Sequence, residues 1–248
     1  MYQQTPYDIS FRFLGFPVRI QPFFWLVIAL LGIPHGITNL SIQLIELMLW
    51  VAAAFVSILV HELGHALVFR HVYRVSSQII FHGMGGVTIP FVPHHRRYGF
   101  FGMLCELFLF AAGPFASFVL AGLFLVLLLL LPTVFQGAIL ESELEVNGLS
   151  ALSIVVVFMW KVVSISIVWG IFNLFPIYPM DGGQISREIF SYFSSRNGVA
   201  NSLVLSMVIA ILFAVLAFRF GLVFMAFLFA YFAYQNYQEL SYYSFRRR

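Results

Sequence analysis

Residues 47–69 read LMLWVAAAFVSILVHELGHALVF. A bilayer's hydrocarbon core of about 30 Å needs about 20 mainly apolar residues in helical form, and this stretch supplies them. Its only ionisable side chains are His61, Glu62 and His65. On a helix, residues four apart share a face. His61 and His65 can therefore offer two imidazoles to one zinc ion, while Glu62, one residue on, reaches a zinc-bound water. Helical His and Glu residues can also occur at this spacing with no metal. The setting speaks against that, because an ionisable group in a spanning helix costs on the order of 3 kcal/mol or more and marks function.

Composition supports a membrane setting. Of 248 residues, 61% are hydrophobic and 9% charged, against about 25% charged in soluble domains. The formal net charge is +3 with a single lysine, and the arginines are scattered between apolar runs. That basicity reads as membrane topology, and no nucleic-acid partner is expected. The lone Cys105 can make no internal disulfide and no cysteine metal site, so it reads as a small packing residue. Met1 to Ser10 lacks a basic segment before an apolar core, and no cleaved signal peptide is expected.

Six windows qualify as spans, approximately 20–38, 43–69, 103–131, 152–176, 199–218 and 220–238. The first is the weakest, crowded by Pro22, Pro34 and His35. With the N-terminus in the cytosol, eleven arginines fall on the cytosolic side: Arg12, Arg19, Arg70, Arg74, Arg96, Arg97, Arg187, Arg196 and Arg246 to Arg248. Only Arg219 falls opposite, and the loop 132–150 carries Glu141, Glu143 and Glu145 with no basic residue. The expected protein is an all-α polytopic membrane protein with both termini cytosolic, residues 1–248 forming one membrane-embedded domain with a core at about 43–190 and two C-terminal helices at about 199–238. Arg70 and Arg74 place the histidines near the cytosolic end of their helix. Between the second and third windows, residues 76–90 hold two β-prone runs around a Gly-rich turn and read as a β-hairpin.

Two histidines leave a catalytic zinc site one ligand short. Asp181 is the candidate, in Asn173-Leu174-Phe175-Pro176-Ile177-Tyr178-Pro179-Met180-Asp181-Gly182-Gly183, where the fourth window ends on the same side as His65. Pro176 and Pro179 push the preceding residues towards extended geometry, so the helix unwinds and its backbone can line a wet cavity.

With both segments in view, the chain resembles the site-2 protease family of intramembrane metalloproteases, whose pattern is HExxH on one helix and NxxPxxPxDG on a later one. Both match at every specified position, and Gly85-Gly86 and Gly113-Pro114 are also similar to the family. The resemblance covers roughly residues 50 to 190. It implies one zinc per chain bound by His61, His65 and Asp181, Glu62 as general base and proton shuttle, and Asn173 as donor to the scissile carbonyl. The implied substrate is a single-span transmembrane protein, cleaved in or near its transmembrane segment. Ser117 departs from the asparagine that relatives often carry and is expected to affect helix packing without touching the ligands. PDZ and CBS modules found in many relatives are absent from this sequence.

A helical substrate must unwind before its carbonyl can be attacked, which frees backbone groups that need new partners. Ile79, Ile80 and Phe81, or the partner run from Val87 to Ile89, could take the substrate as an added strand. Gly83, Gly85 and Gly86 allow the close turn, and Pro90 ends the pairing. Proline at position 80 or 87, in whichever strand is the open edge, is expected to block cleavage. His94, His95, Arg96 and Arg97 read as a solvated cytosolic cluster, and His82 as a neighbour that is not a ligand. Tyr231, Tyr234, Tyr237, Tyr242 and Tyr243 read as an interfacial belt. Glu46 and Lys161 lie about 22 and 18 Å up their helices from the site and are expected to pair. Two other readings stay open: a prenyl-protein protease, whose third ligand would be glutamate, and a metal transporter, in which Glu62 and the hairpin have no task.

Overall fold

The structure is a computed structural model that describes residues 4–34, 37, 39–93, 99–130, 151–194 and 196–245. The expected cytosolic cluster at 94–97, the acidic loop at 132–150 and Arg246 to Arg248 lie outside the described residues. The chain forms two compact units, Met1–His94 with Ala112–Gly170, and His95–Ala111 with Ile171–Arg248.

In the first unit, strands β1 (Ile9–Phe13) and β2 (Phe16–Ile20) lead into helix α1 (Pro22–Leu31). Helix α2 (Leu40–Val68) follows and widens into a π-helical turn over Phe69–Tyr73. Asn39 caps α2 by accepting from the Ser41 and Ile42 amides, satisfying two donors that a helix start leaves unpaired. At the other end Arg74 adopts a left-handed conformation, φ 55°, and turns the chain into β3 (Ser77–His82) and β4 (Gly85–Pro90).

The sheet has four strands in the order β1-β2-β3-β4. The two hairpins are antiparallel, and β2 joins β3 in parallel, pairing Val18 with Ile79 and Ile20 with Phe81. The hairpin at 76–90 is present. The sequence reading missed the N-terminal one, although Ile9-Ser10-Phe11-Arg12-Phe13 alternates around a Leu14-Gly15 turn, a readable strand signal. The parallel pairing had no local signal, since α1 and α2 separate its strands. Its consequence is a correction: β3 is interior, so Ile79, Ile80 and Phe81 have no open edge to offer, and of this hairpin β4 is the strand at the edge of the sheet.

Buried Phe16, Val18 and Ile20 of β2 pack with Ile79 and Phe81 of β3, Phe24 and Ile28 of α1 and Ile58 and Leu63 of α2. The Trp50 indole donates to the Ile28 carbonyl at the end of α1, and Arg70 donates to the Leu14 carbonyl while its guanidinium lies 3.6 Å from the centre of the Phe16 ring. The sheet is thereby fastened to the helix bearing the histidines. Helices α3 (Gly99–Leu129) and α4 (Ala151–Asn173) contribute Ala121, Leu128, Val156, Met159 and Val163 to a second core. Ser166 on α4 donates to Ser57 on α2, both fully buried, and Lys161 is paired with Glu46 as expected.

The second unit holds α5 (Asp181–Phe193), α6 (Gly198–Arg219) and α7 (Val223–Phe245). Ile177, Met180, Ala210, Phe229, Phe232 and Ala233 form its core. Among the described residues four helices are long and apolar enough to cross a membrane: Leu40–Tyr73, Gly99–Leu129, Ser153–Asn173 and Gly198–Arg219. The expected count of six is not confirmed. The first window holds a helix of only 10 residues, about 15 Å long and half a hydrocarbon core. The last holds α7, whose second half carries Gln235, Asn236, Gln238 and Glu239.

Candidate metal centre

Helix α2 brings His61, Glu62 and His65 to one end, with 2%, 4% and 7% of their surfaces exposed. The two Nε2 atoms stand 3.3 Å apart. Zinc–nitrogen bonds of about 2.0–2.1 Å at a tetrahedral angle separate two ligand nitrogens by about 3.3–3.4 Å, so the imidazole pair has the spacing that one zinc requires. His61, His65 and Asp181 are a group that could hold a metal ion. Two neutral imidazoles and a carboxylate form a donor set suited to zinc, leaving a position for water.

Close backbone approach shapes this end of α2. A Cβ at Gly113 on α3 would overlap His65 Nε2 and come within 2.7 Å of His61 Nε2, and one at Gly64 would overlap the Ala112 carbonyl. Both positions demand glycine for room. Gly113 therefore leaves space at the metal-facing nitrogens that any side chain would fill. His61 Nδ1, on the opposite side of its ring, lies 3.0 Å from Ser117 Oγ. The expectation that Ser117 does not touch the ligands is overturned. The Trp169 ring on α4 meets His61 edge-on at 6.4 Å.

Glu62 lies against β4. The Thr88 hydroxyl is 2.8 Å from Glu62 Oε2 and 3.0 Å from the Glu62 carbonyl oxygen. A Cβ at Gly86 would stand 2.5 Å from Glu62 Cγ. Gly86 is thus required by the carboxylate, while Gly85, at φ +122°, is required by its own backbone and by Trp169, 2.8 Å from where its Cβ would be. Thr88 and Trp169 were missed in the sequence: a threonine in a β-prone run and a tryptophan in an apolar span look the same in any role. At the turn, His82 Nδ1 accepts from the Met84 amide, and burial holds the His82 pKa below its ordinary value.

Which way β4 points its backbone follows from its register. The Phe91 amide donates to the Ser76 carbonyl, and bonded and non-bonded pairs alternate along an antiparallel ladder. Gln78–Ile89 and Ile80–Val87 are then the bonded pairs, leaving the main-chain groups of Gly86 and Thr88 directed away from β3. The Val87 amide is spent inside the hairpin, so a proline there would break β4 from β3 and would not test the edge.

In the second unit, Asn173 ends α4 and Asp181 begins α5, where its carboxylate complements the positive end of the helix dipole. Between them the chain turns through Pro176 and a cis Tyr178–Pro179 peptide. A Cβ at Gly182 or Gly183 would overlap backbone atoms of Leu174, Phe175, Ile177 or Tyr178, so α5 can fold back on the turn only with glycine there. The Tyr178 peptide is held at both ends: its amide donates to Ser206 Oγ on α6, and its carbonyl accepts from Asn236 Nδ2 on α7 at 2.7 Å.

Residues 49–217 match the family described as Peptidase family M50. A curated zinc metalloprotease of Methanocaldococcus jannaschii is 28% identical over 228 residues, covering 90% of this chain; the alignment spans 58% of that relative's length. The solved site-2 protease of the same organism is similar in fold, with a TM-score of 0.56 at 24% identity, over 94% of this chain and 95% of the solved one.

Proposed function

The chain belongs to peptidase family M50, and on that premise we propose that it is an intramembrane zinc endopeptidase, hydrolysing a peptide bond in or near a transmembrane segment of another membrane protein. The observation that carries this reading is the convergence of His61 Nε2 and His65 Nε2 at zinc-ligand spacing, with the adjacent Glu62 carboxylate tied to strand β4. In this reading His61, His65 and Asp181 bind the metal. When bound, zinc supplies Lewis acidity that lowers the pKa of a coordinated water to about 7. Glu62 accepts the proton of the attacking water and returns it to the leaving amine. Thr88 fixes the rotation of that carboxylate by donating to Oε2, and the Asn173 amide donates to the developing oxyanion.

The substrate, taken to be a single-span protein in the surrounding lipid, unwinds to expose its carbonyl. Each backbone group left unpaired in a dry place costs about 1–3 kcal/mol. The outward main-chain groups of Gly86 and Thr88 re-pair some of them by strand addition on β4. Both termini and the site face the cytosol, on the side where eleven of the arginines fall.

The test uses purified chain, a panel of single-span substrates and metal analysis. Wild type is expected to hold one zinc. His61→Ala, His65→Ala and Asp181→Ala lose it, and Asn173→Ala retains it. Glu62→Gln keeps fold and zinc but loses cleavage, because an amide cannot take the proton. Full zinc in folded Asp181→Ala would remove that residue from the ligand set. Turnover by Glu62→Gln would sink the mechanism, and zinc flux into liposomes that survives this substitution would favour a transporter.

A further inference from the structure

We infer that Ser117 is a positioning residue for the metal, holding His61 in the tautomer whose Nε2 lone pair faces the ligand site; this rests on the zinc-peptidase reading. Ser117 sits on α3 one turn beyond Gly113 and is fully buried. Its Oγ is 3.0 Å from His61 Nδ1 and 3.3 Å from the Gly113 carbonyl oxygen. A hydroxyl has one proton to donate, and a carbonyl can only accept. The serine proton therefore goes to Gly113, and Oγ turns a lone pair towards His61. Nδ1 must then carry the imidazole proton.

A neutral imidazole protonated at Nδ1 has its lone pair on Nε2, the atom 3.3 Å from His65 Nε2. In the other tautomer two lone pairs would face each other between Nδ1 and Oγ, or Ser117 would have to abandon Gly113. The same stretch of α3 thus does two things. Gly113 clears the space at the Nε2 atoms, and its carbonyl, through Ser117, sets the proton on the far side of the ring. Partners of this kind raise ligand basicity and limit ring rotation.

The full chain, purified in detergent, is titrated with zinc against a chromophoric chelator, and its cobalt-substituted form is followed by visible absorption. Ser117→Ala is expected to weaken zinc binding about 10- to 100-fold and to change the cobalt bands. Ser117→Thr, which keeps the hydroxyl, is expected to bind zinc and absorb as wild type does. If Ser117→Ala does not fold, Ser117→Cys replaces it, since a thiol of similar size is only a weak acceptor; the same weakening is expected. Wild-type zinc affinity and cobalt bands in Ser117→Ala, or in Ser117→Cys where that stands in, overturn the inference, as does a loss of thermal stability that leaves both unchanged. His61→Ala separates the two levels of argument. Undiminished zinc affinity in that variant overturns the ligand assignment and this inference with it.

Discussion

Thr88 has one hydroxyl proton and two oxygens of the same residue, Glu62, within reach of it. A hydrogen bond to a carboxylate is worth about 1.5–3 kcal/mol, so the Oε2 contact dominates and orients the base. Thr88→Val keeps shape and β-propensity but removes the donor. It is expected to lower kcat about 10- to 100-fold, the rate equivalent of that energy, with KM and zinc content unchanged, while Thr88→Ser stays near wild type. Steady-state kinetics on one substrate would check this; wild-type kcat in the valine variant removes the role. Gly86→Ala should be as harmful by a different route, since its Cβ would stand 2.5 Å from Glu62 Cγ. The role of Asn173 came only from the family resemblance, while His61, Glu62, His65 and Asp181 were legible as candidates because ionisable residues are unusual in an apolar segment. Thr88, Ser117 and Trp169 were not, because only packing against particular neighbours distinguishes them.

Among the elements, the turn between Asn173 and Asp181 depends on helices that carry no ligand. Ser206 of α6 and Asn236 of α7 hold the Tyr178 peptide at its two ends, and Asn236 lies beyond the residues that match the family. Asn236→Ala leaves the part-buried Tyr178 carbonyl short of a donor, at up to about 1–3 kcal/mol. It is expected to lower thermal stability and zinc occupancy together, with Asn236→Asp worse because a carboxylate would face two carbonyls. Unchanged zinc content and melting temperature in Asn236→Ala would show that the turn does not need this bond. The hairpin at 76–90 was legible from its β-prone runs and glycines. Its edge was not, because that is set by β2, whose residues pair with β3 residues 61 positions later.

For the molecule as a whole, four helices among the described residues are long and apolar enough to span a membrane, and within the first unit the Glu46–Lys161 pair joins α2 to α4. The side chains are 14% and 21% exposed. Removing one partner of such a pair costs about 3–5 kcal/mol, because the other charge is left buried alone. Glu46→Gln and Lys161→Met are each expected to destabilise the chain strongly, and the charge swap Glu46→Lys with Lys161→Glu to recover most of the loss. Thermal unfolding in detergent would measure it. A swap no more stable than the single variants would mean that the pair is not what joins these helices.

The sequence alone determined the membrane setting, the helix bearing the histidines, the glycine-rich hairpin and the residue types for a zinc site. Each of these is written in local periodicity, composition or spacing, which the chain carries before it folds. Tertiary structure decided which strand of the 76–90 hairpin lies at the edge of the described sheet, why Gly86 and Gly113 must be glycine, and which side chains hold Glu62, His61 and the Tyr178 peptide. Those are contacts between segments tens of residues apart, and no local pattern encodes them. Ser117 makes the point in one residue: by its type it is a small helix-packing serine, and only the approach of α3 to α2 puts its hydroxyl 3.0 Å from His61.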